Sequence, residues 1–326
     1  MPAAPGPQAD PFTTIAALSK VDAYIATHPD YTRRGVTQPG QGSTNRVVFA
    51  RRGSDPVVFK VFCERERKER ELFAFRHWQP TGLIPRLVAD ADETMLVMSR
   101  LPGVYLQQSR QQDPAPVFAQ ACRQTGQAIG ALAQVPLDAA DRADFESRFY
   151  GETGPLEAYL ARILELGRGV QARDPDFQDA FWRDNLAFVE GQLPRLYAQP
   201  RVLYHQDVSN LHVKDGRFVG FFDLEMCRAG CAAMQLAAAL GMLEGEQTAW
   251  QPFRVGWEAA AGEPLTPEQR QATLAAYCLL QWREITRYLS YDGTPGTGYA
   301  WASPADPAQY RALIRAAQTI LEIRPN

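Results

Sequence analysis

Residues 211–223 read LHVKDGRFVGFFD, two apolar runs split by Asp215 and Gly216. An Asp-Gly pair between alternating apolar segments is a strong short-range signal for a β-hairpin, because both turn residues take positive φ. With that turn, Val213 faces Phe218, His212 faces Val219 and Asn210 faces Phe221. Asp223 then returns opposite Val208, beside the loop that holds Asp207. Strand side chains alternate faces, so Asn210 and Asp223 fall on one side as diagonal neighbours, about 7–8 Å apart at Cα. The run YHQDVSN just upstream adds His205 and Asp207. Asp207, Asn210 and Asp223 therefore gather at one open end of the ribbon. Hard oxygen ligands beside a free carboxylate suit Mg²⁺ and a phosphorylated substrate.

The rest of the chain splits into two kinds of region. RVVFA (46–50) and VVFKVF (57–62) are strand-like and joined by a turn cluster. ERERKERELFAFRHW (64–78) reads as a helix, and short strands follow around 86–89 and 95–98. SRLPG (99–103) breaks the pattern as a linker. Helical patterns occupy 13–27, 117–135, 156–170, 181–197, 268–291 and 308–322, and the apolar run 232–243 reads as a buried helix. A β-rich first third and a mainly helical remainder predict an α+β protein of two lobes, divided as 1–98 and 99–326. A length of 326 residues also exceeds what one small core needs. A net charge of -3 argues against a dedicated nucleic-acid or anionic-membrane surface. No run of about 18 apolar residues offers a membrane span. The first dozen residues have neither a basic nor an apolar leader region, and read as a disordered lead-in. Five cysteines without paired CxxC spacing read as buried free thiols of a reducing cytoplasm.

The order H-x-D, Asn, hairpin, Asp resembles the catalytic core of the aminoglycoside phosphotransferase and choline kinase superfamily. NLHVKDGRFVGFFDLE is close to that family's pattern. Upstream, QPGQGSTNRVVFA (38–50) is similar to its glycine-containing phosphate loop, and VVFKVF supplies the strand lysine, Lys60. RELFAFRHWQPTGLIPRL (70–87) resembles the helix bearing the paired glutamate, Glu71, and LVMSRLPG (96–103) resembles the adenine-holding hinge. The resemblance implies a bilobal protein-kinase-like fold and an ATP-dependent (or GTP-dependent) phosphotransferase using Mg²⁺. The acceptor would be the hydroxyl of a small molecule, and the protein a cytoplasmic monomer or homodimer with no nucleic-acid or membrane partner. Gly40 and Gly42 would let the backbone approach the phosphates, with N–H groups near Ser43, Thr44 and Asn45 binding them. Lys60 would hold the α- and β-phosphates and Glu71 would orient Lys60. Met98, Ser99 and Leu101 would line the adenine pocket. Asn210 and Asp223 would bind Mg²⁺, and Asp207 would accept the acceptor's proton.

The chain departs from the family in two places. Asn210 is only the third residue after Asp207, two fewer than usual, which threatens the placement of Asp207. Gln235 stands where the family commonly has an aspartate bracing the catalytic loop. These departures keep open a catalytically weak nucleotide-binding protein of the same fold. A metal-dependent hydrolase built on His205, Asp207, His212 and Asp223 is a third reading, which leaves Lys60 and the glycine loop unexplained. His205 reads as a structural hydrogen-bonding residue behind the loop. Glu225 is retained as an acidic group near Asp223. Glu284, Tyr288, Tyr291, Asp292 and Trp301 are candidates for an acceptor cleft.

Overall fold

The computed structural model of the chain describes residues 14–33, 45–150, 155–289 and 306–323. The chain opens with helix α1 (Thr14–Thr27) and strands β1 (Tyr31–Arg33), β2 (Arg46–Arg52) and β3 (Asp55–Val61). Helix α2 (Arg65–Trp78) and strands β4 (Leu87–Asp92) and β5 (Met95–Ser99) follow. The five strands form one antiparallel sheet in the order β1-β2-β3-β5-β4. Alternation along β3 decides what each face does. Val57, Phe59 and Val61 pack with Ala17 and Val21 of α1 in an outer core. Val58 and Phe62 pack into the second, larger core, and Lys60 shares their inner face.

Beyond β5 lie β6 (Val104–Tyr105) and helices α3 (Leu106–Gln112), α4 (Ala115–Ala133), α5 (Ala139–Phe149), α6 (Leu156–Arg173) and α7 (Ala180–Ala198). Next come β7 (Val202–His205), β8 (Leu211–Lys214), β9 (Arg217–Phe221) and β10 (Cys227–Gly230). Helices α8 (Ala232–Met242), α9 (Gln247–Ala261), α10 (Pro267–Leu289) and α11 (Pro307–Ile320) complete the described chain. The fold is thus the α+β, bilobal one, with small sheets β6-β8-β9 and β7-β10 among the helices. None of the helices among the described residues is long and apolar enough to cross a membrane. α4 and α9 cross almost backbone to backbone: a Cβ on Gly126 would stand 2.0 Å from the Phe253 carbonyl oxygen, and one on Gly256 1.8 Å from that of Arg123. α2 is tied to the helical part, since the Phe73 ring meets Phe145 of α5 edge-on at 5.0 Å and Phe149 at 6.4 Å. Helices α3, α5 and α9 and strand β6 were not expected from sequence. In α5 (AADRADFESRF) charged residues are as numerous as apolar ones, and it buries only Phe145 and Phe149.

The hairpin turn sits where the sequence places it, with Asp215 at φ 51° and Gly216 at φ 71°. Val213 pairs with Phe218 as expected, but the next pairs are corrected: His212 faces Gly220 and Leu211 faces Phe221. A bulge at this point shifts β9 by one residue. Gly220 packs close to Leu101, whose side chain would stand 2.9 Å from a Cβ added there. Asn210 therefore lies level with Phe222, whose N–H donates to the Asn210 carbonyl at 2.9 Å. The charged start of α2 is also less solvated than its composition implies: Lys68 is buried against Asp90 at 2.5 Å, and Arg67 and Arg70 turn inward. Four of the five cysteines are buried, Cys63 is half-buried, and all are free thiols.

Candidate active site

Lys60 is 4 % exposed on the inner face of β3. Its Nζ contacts Oε2 of Glu71, from α2, and Oδ1 of Asp223, which follows β9. Oε2 of Glu225 lies 3.3 Å away. Burial opposes the ammonium charge, yet Asp223, Glu71 and Glu225 together hold the lysine above its ordinary pKa. Glu71 is 0 % exposed. Burial pushes its carboxyl up to about 7, against the pull of Lys60, and its Oε1 has no hydrogen-bond partner among the described residues. Glu225 is 4 % exposed and ties three elements together. Arg67 of α2 donates to its Oε1 at 3.0 Å, the Asn45 side chain donates to its Oε2, and Arg70 donates to its carbonyl at 3.4 Å. Asn45 in turn accepts the Cys63 N–H at 3.3 Å. If all are ionised, three carboxylates (Glu71, Asp223, Glu225) face two cations (Lys60, Arg67), an excess of one negative charge.

Asp223 leaves β9 in the left-handed region, at φ 59°. That change of direction leads into the short helical turn Leu224–Met226 and lets Asp223 and Glu225 both reach Lys60. Asn210 Nδ2 lies 3.3 Å from Asp223 Oδ2, so the two residues meet despite the shifted register. A divalent cation fits this group on two counts. Carboxylate and amide oxygens are the hard donors that Mg²⁺ takes, and with Glu71 ionised the charge excess is of the right sign. Asn210 must rotate its amide to present its oxygen, since the nitrogen now faces Asp223. Glu71, Asp223 and Glu225 also bring carboxylate oxygens within 4.8 Å of one another, a group that neither His205 nor His212 joins. The donor set of the hydrolase reading does not assemble.

Asp207 sits on an exposed turn. The shortened loop closes without disorder: the Asn210 N–H donates to the Asp207 carbonyl at 3.1 Å, and Ser209 Oγ donates to Asp207 Oδ1 at 2.6 Å. Asp207 lines a cavity of about 400 Å³ together with Gln206, Ser209, Gln281, Arg283 and Glu284. The side chain of Tyr288, and Tyr291, Asp292 and Trp301 entirely, lie outside the described residues. Behind the turn, Gln235 makes up for the missing aspartate. Its Oε1 accepts the His205 N–H at 2.8 Å and its amide donates to the His205 carbonyl at 3.3 Å. His205 is buried, with Nε2 3.1 Å from the Phe222 carbonyl, and burial lowers its pKa.

At the hinge, Met98 is buried. The Ser99 N–H donates to Arg86 O at 2.8 Å, so it is already engaged within the protein. The Leu101 carbonyl lies 3.3 Å from His212 Nδ1. Gly103, at φ 96°, passes so close to β8 that a Cβ would stand 2.3 Å from Val213 O. Gly40, Gly42, Ser43 and Thr44 fall outside the described residues. Lys60, Glu71, Asn210 and Asp223 come together, and Asp207 lines the cavity beside the turn. Sequence reasoning left the role of Glu225 open, gave Asn45 only a backbone N–H near the phosphates and not its side-chain contact to Glu225, and missed Arg67 and Tyr105 altogether. Tyr105 stacks edge-on against His212 and Phe222 at 5.3 and 5.5 Å, and burial, with Asp223 and Asp207 nearby, raises its pKa.

The model of the phosphotransferase enzyme family matches residues 35–288. No curated protein matches the sequence. Among solved structures, the aminoglycoside phosphotransferase APH(4)-Ia is 18% identical, with 92% of this chain and 99% of that one covered and a TM-score of 0.55. A putative aminoglycoside phosphotransferase from Ralstonia eutropha JMP134 is 14% identical, covers 95% and 99%, and scores 0.61. The ethanolamine kinase of Plasmodium vivax is 14% identical, covers 91% and 84%, and scores 0.59. At such identities the likeness is one of fold.

Proposed function

We propose that this chain, which belongs to the phosphotransferase enzyme family, transfers the γ-phosphoryl group of ATP (or GTP) to the hydroxyl of a small molecule. The observation that carries this reading is the meeting of Lys60, Glu71, Asn210 and Asp223 in one over-acidic cluster. Phosphoryl transfer asks a protein for position and charge neutralisation more than for covalent chemistry. Glu71 fixes Lys60, and Lys60 meets the nucleotide's phosphates. Asp223 and Asn210 hold Mg²⁺, which when bound neutralises the charge that develops on the phosphate oxygens. Asp207 takes the hydroxyl proton as the acceptor oxygen bonds to phosphorus and the bond to the β-phosphate bridging oxygen breaks. Gln235, through His205, keeps the strand behind that turn in place. The neighbour APH(4)-Ia, in a thermostable variant, is known with ADP and hygromycin B bound, which favours nucleotide plus small hydroxylated acceptor here. The division of labour at residues 98–99 follows the same reading, with nucleotide held before it and acceptor after it.

The test is an ADP-release assay over hydroxylated acceptors, with Mg²⁺-ATP binding followed by calorimetry. Asp223→Ala is expected to abolish nucleotide binding or turnover, and Asp207→Ala to keep binding and lose transfer. Transfer that survives in Asp207→Ala removes that residue from its role.

A further inference from the structure

Glu225 follows Asp223 by two residues, and the phosphotransferase reading leaves it without a task. Two tasks suit a carboxylate at that place: a further ligand for the metal, or a support for the groups that meet the nucleotide. Exposure separates the two. The Asp223 side chain is 37 % exposed, whereas that of Glu225 is 5 % exposed. A hydrated cation entering from solvent therefore meets Asp223 first, although carboxylate oxygens of Glu71, Asp223 and Glu225 lie within 4.8 Å of one another.

Bonding separates them further. Oε1 of Glu225 accepts from Arg67 Nη1 at 3.0 Å, while Oε2 accepts from the Asn45 amide and lies 3.3 Å from Lys60 Nζ. Both oxygens thus face donors, and two of the three donors are cations. Mg²⁺ sheds its waters reluctantly. To use Glu225 it would also have to displace Arg67 or Lys60 from a buried pair and strand a charge. The main chain is held as well, since the Glu225 carbonyl accepts from Arg70 at 3.4 Å. Arg67 and Arg70 lie on α2 and Glu71 follows them directly, so Glu225 fixes the helix from which Glu71 reaches Lys60. Asn45 ends the stretch QPGQGSTN just before β2, and its side-chain oxygen accepts the N–H of Cys63, just beyond β3, at 3.3 Å. One carboxylate therefore joins α2, the start of β2 and the end of β3 around Lys60.

We propose that Glu225 is a positioning residue, which through Arg67 and Asn45 sets Lys60 for the nucleotide's phosphates, and that it is not a ligand of the Mg²⁺ assigned to Asp223 and Asn210. The inference rests on the phosphotransferase reading above and deepens it by dividing two neighbouring carboxylates between two tasks.

The experiment follows ATP binding by calorimetry in EDTA and at rising Mg²⁺, and compares the factor by which Mg²⁺ tightens ATP. Coupling between two ligands is reciprocal, so loss of a metal ligand shrinks that factor. Glu225→Gln is expected to weaken ATP by about 10–100-fold, the range of a hydrogen bond to a charged group, and to the same extent with and without Mg²⁺. Asp223→Asn, the control, should shrink the factor. Arg67→Met should reproduce the loss seen in Glu225→Gln, and Arg67→Lys should recover part of it. The double variant of Arg67→Met and Glu225→Gln should lose less than the two losses combined, as partners in one contact do. A Glu225→Gln protein whose ATP is no longer tightened by Mg²⁺ makes Glu225 a metal ligand and overturns the proposal. So does an Arg67→Met protein that binds Mg²⁺-ATP more tightly than the parent, Glu225 having been freed for the metal. ATP affinity equal to the parent's in both variants overturns it too, leaving Glu225 a packing role alone. Should Glu225→Gln fail to fold, Arg67→Met decides, because the two tasks give it opposite signs. A parent protein that binds ATP neither in EDTA nor with Mg²⁺ sinks the phosphotransferase reading and the positioning role with it.

Discussion

The two ends of the site are built on opposite plans. Around Lys60 nearly everything is buried, and each charged group answers to several others on β3, α2 and the segment after β9. Around Asp207 the carboxylate is exposed on a turn and, among the described residues, held by the hydroxyl of Ser209. A buried cluster fixes a field in advance of any ligand, whereas a turn on a cavity rim can change its neighbours at little cost to the fold. On the proposed reading, the end that would meet the nucleotide is largely buried and the end that would meet the acceptor is open.

The sharpest way to break that contrast is Lys60→Met. It strands Glu71 and Glu225 without their shared cation, and stability should fall by about 3–5 kcal/mol, as when one partner of a buried ion pair is removed. Urea unfolding measures it, and a variant as stable as the parent would mean the cluster is not the anchor described here. Asp207→Ala should do the reverse, lowering transfer by about 10²–10⁴-fold while moving the unfolding midpoint hardly at all. Gln235→Ala tests whether the open end leans on a buried support: two hydrogen bonds to His205 are lost, at about 1–3 kcal/mol together. If the denaturation curve stays put, Gln235 is no brace. The smallest effect concerns pH. Burial lowers the pKa of His77, His205 and His212 below 6.5, so below that pH the unfolded chain binds more protons than the folded one. Stability should therefore decline as pH falls through 6.5. His77→Gln, which alters a site remote from Asp207, should flatten part of that decline in urea midpoints taken between pH 7 and 5.

What the sequence disclosed and what it hid differ by range. Local chemistry was readable: Asp215-Gly216 makes its turn, Lys60 falls on the inner face of its strand, and the strand–helix order leads to the fold. Contacts made across the chain were not. Glu225 depends on Asn45 and Arg67, 180 and 158 residues away, and no local pattern announces such partners. The bulge in β9 had a cue in Gly220, since an interior strand glycine often marks a bulge or close approach, and here it approaches the Leu101 side chain. Gln235 read as a loss because a family position had changed. An amide can both donate and accept, and here it satisfies two backbone groups where a carboxylate could only accept.

The seating of Phe73 between Phe145 and Phe149 bears on control. Glu71 rides on the same helix, so drawing it off Lys60 would drag an aromatic ring out of a filled interior. Regulation by swinging that helix away is thereby made costly.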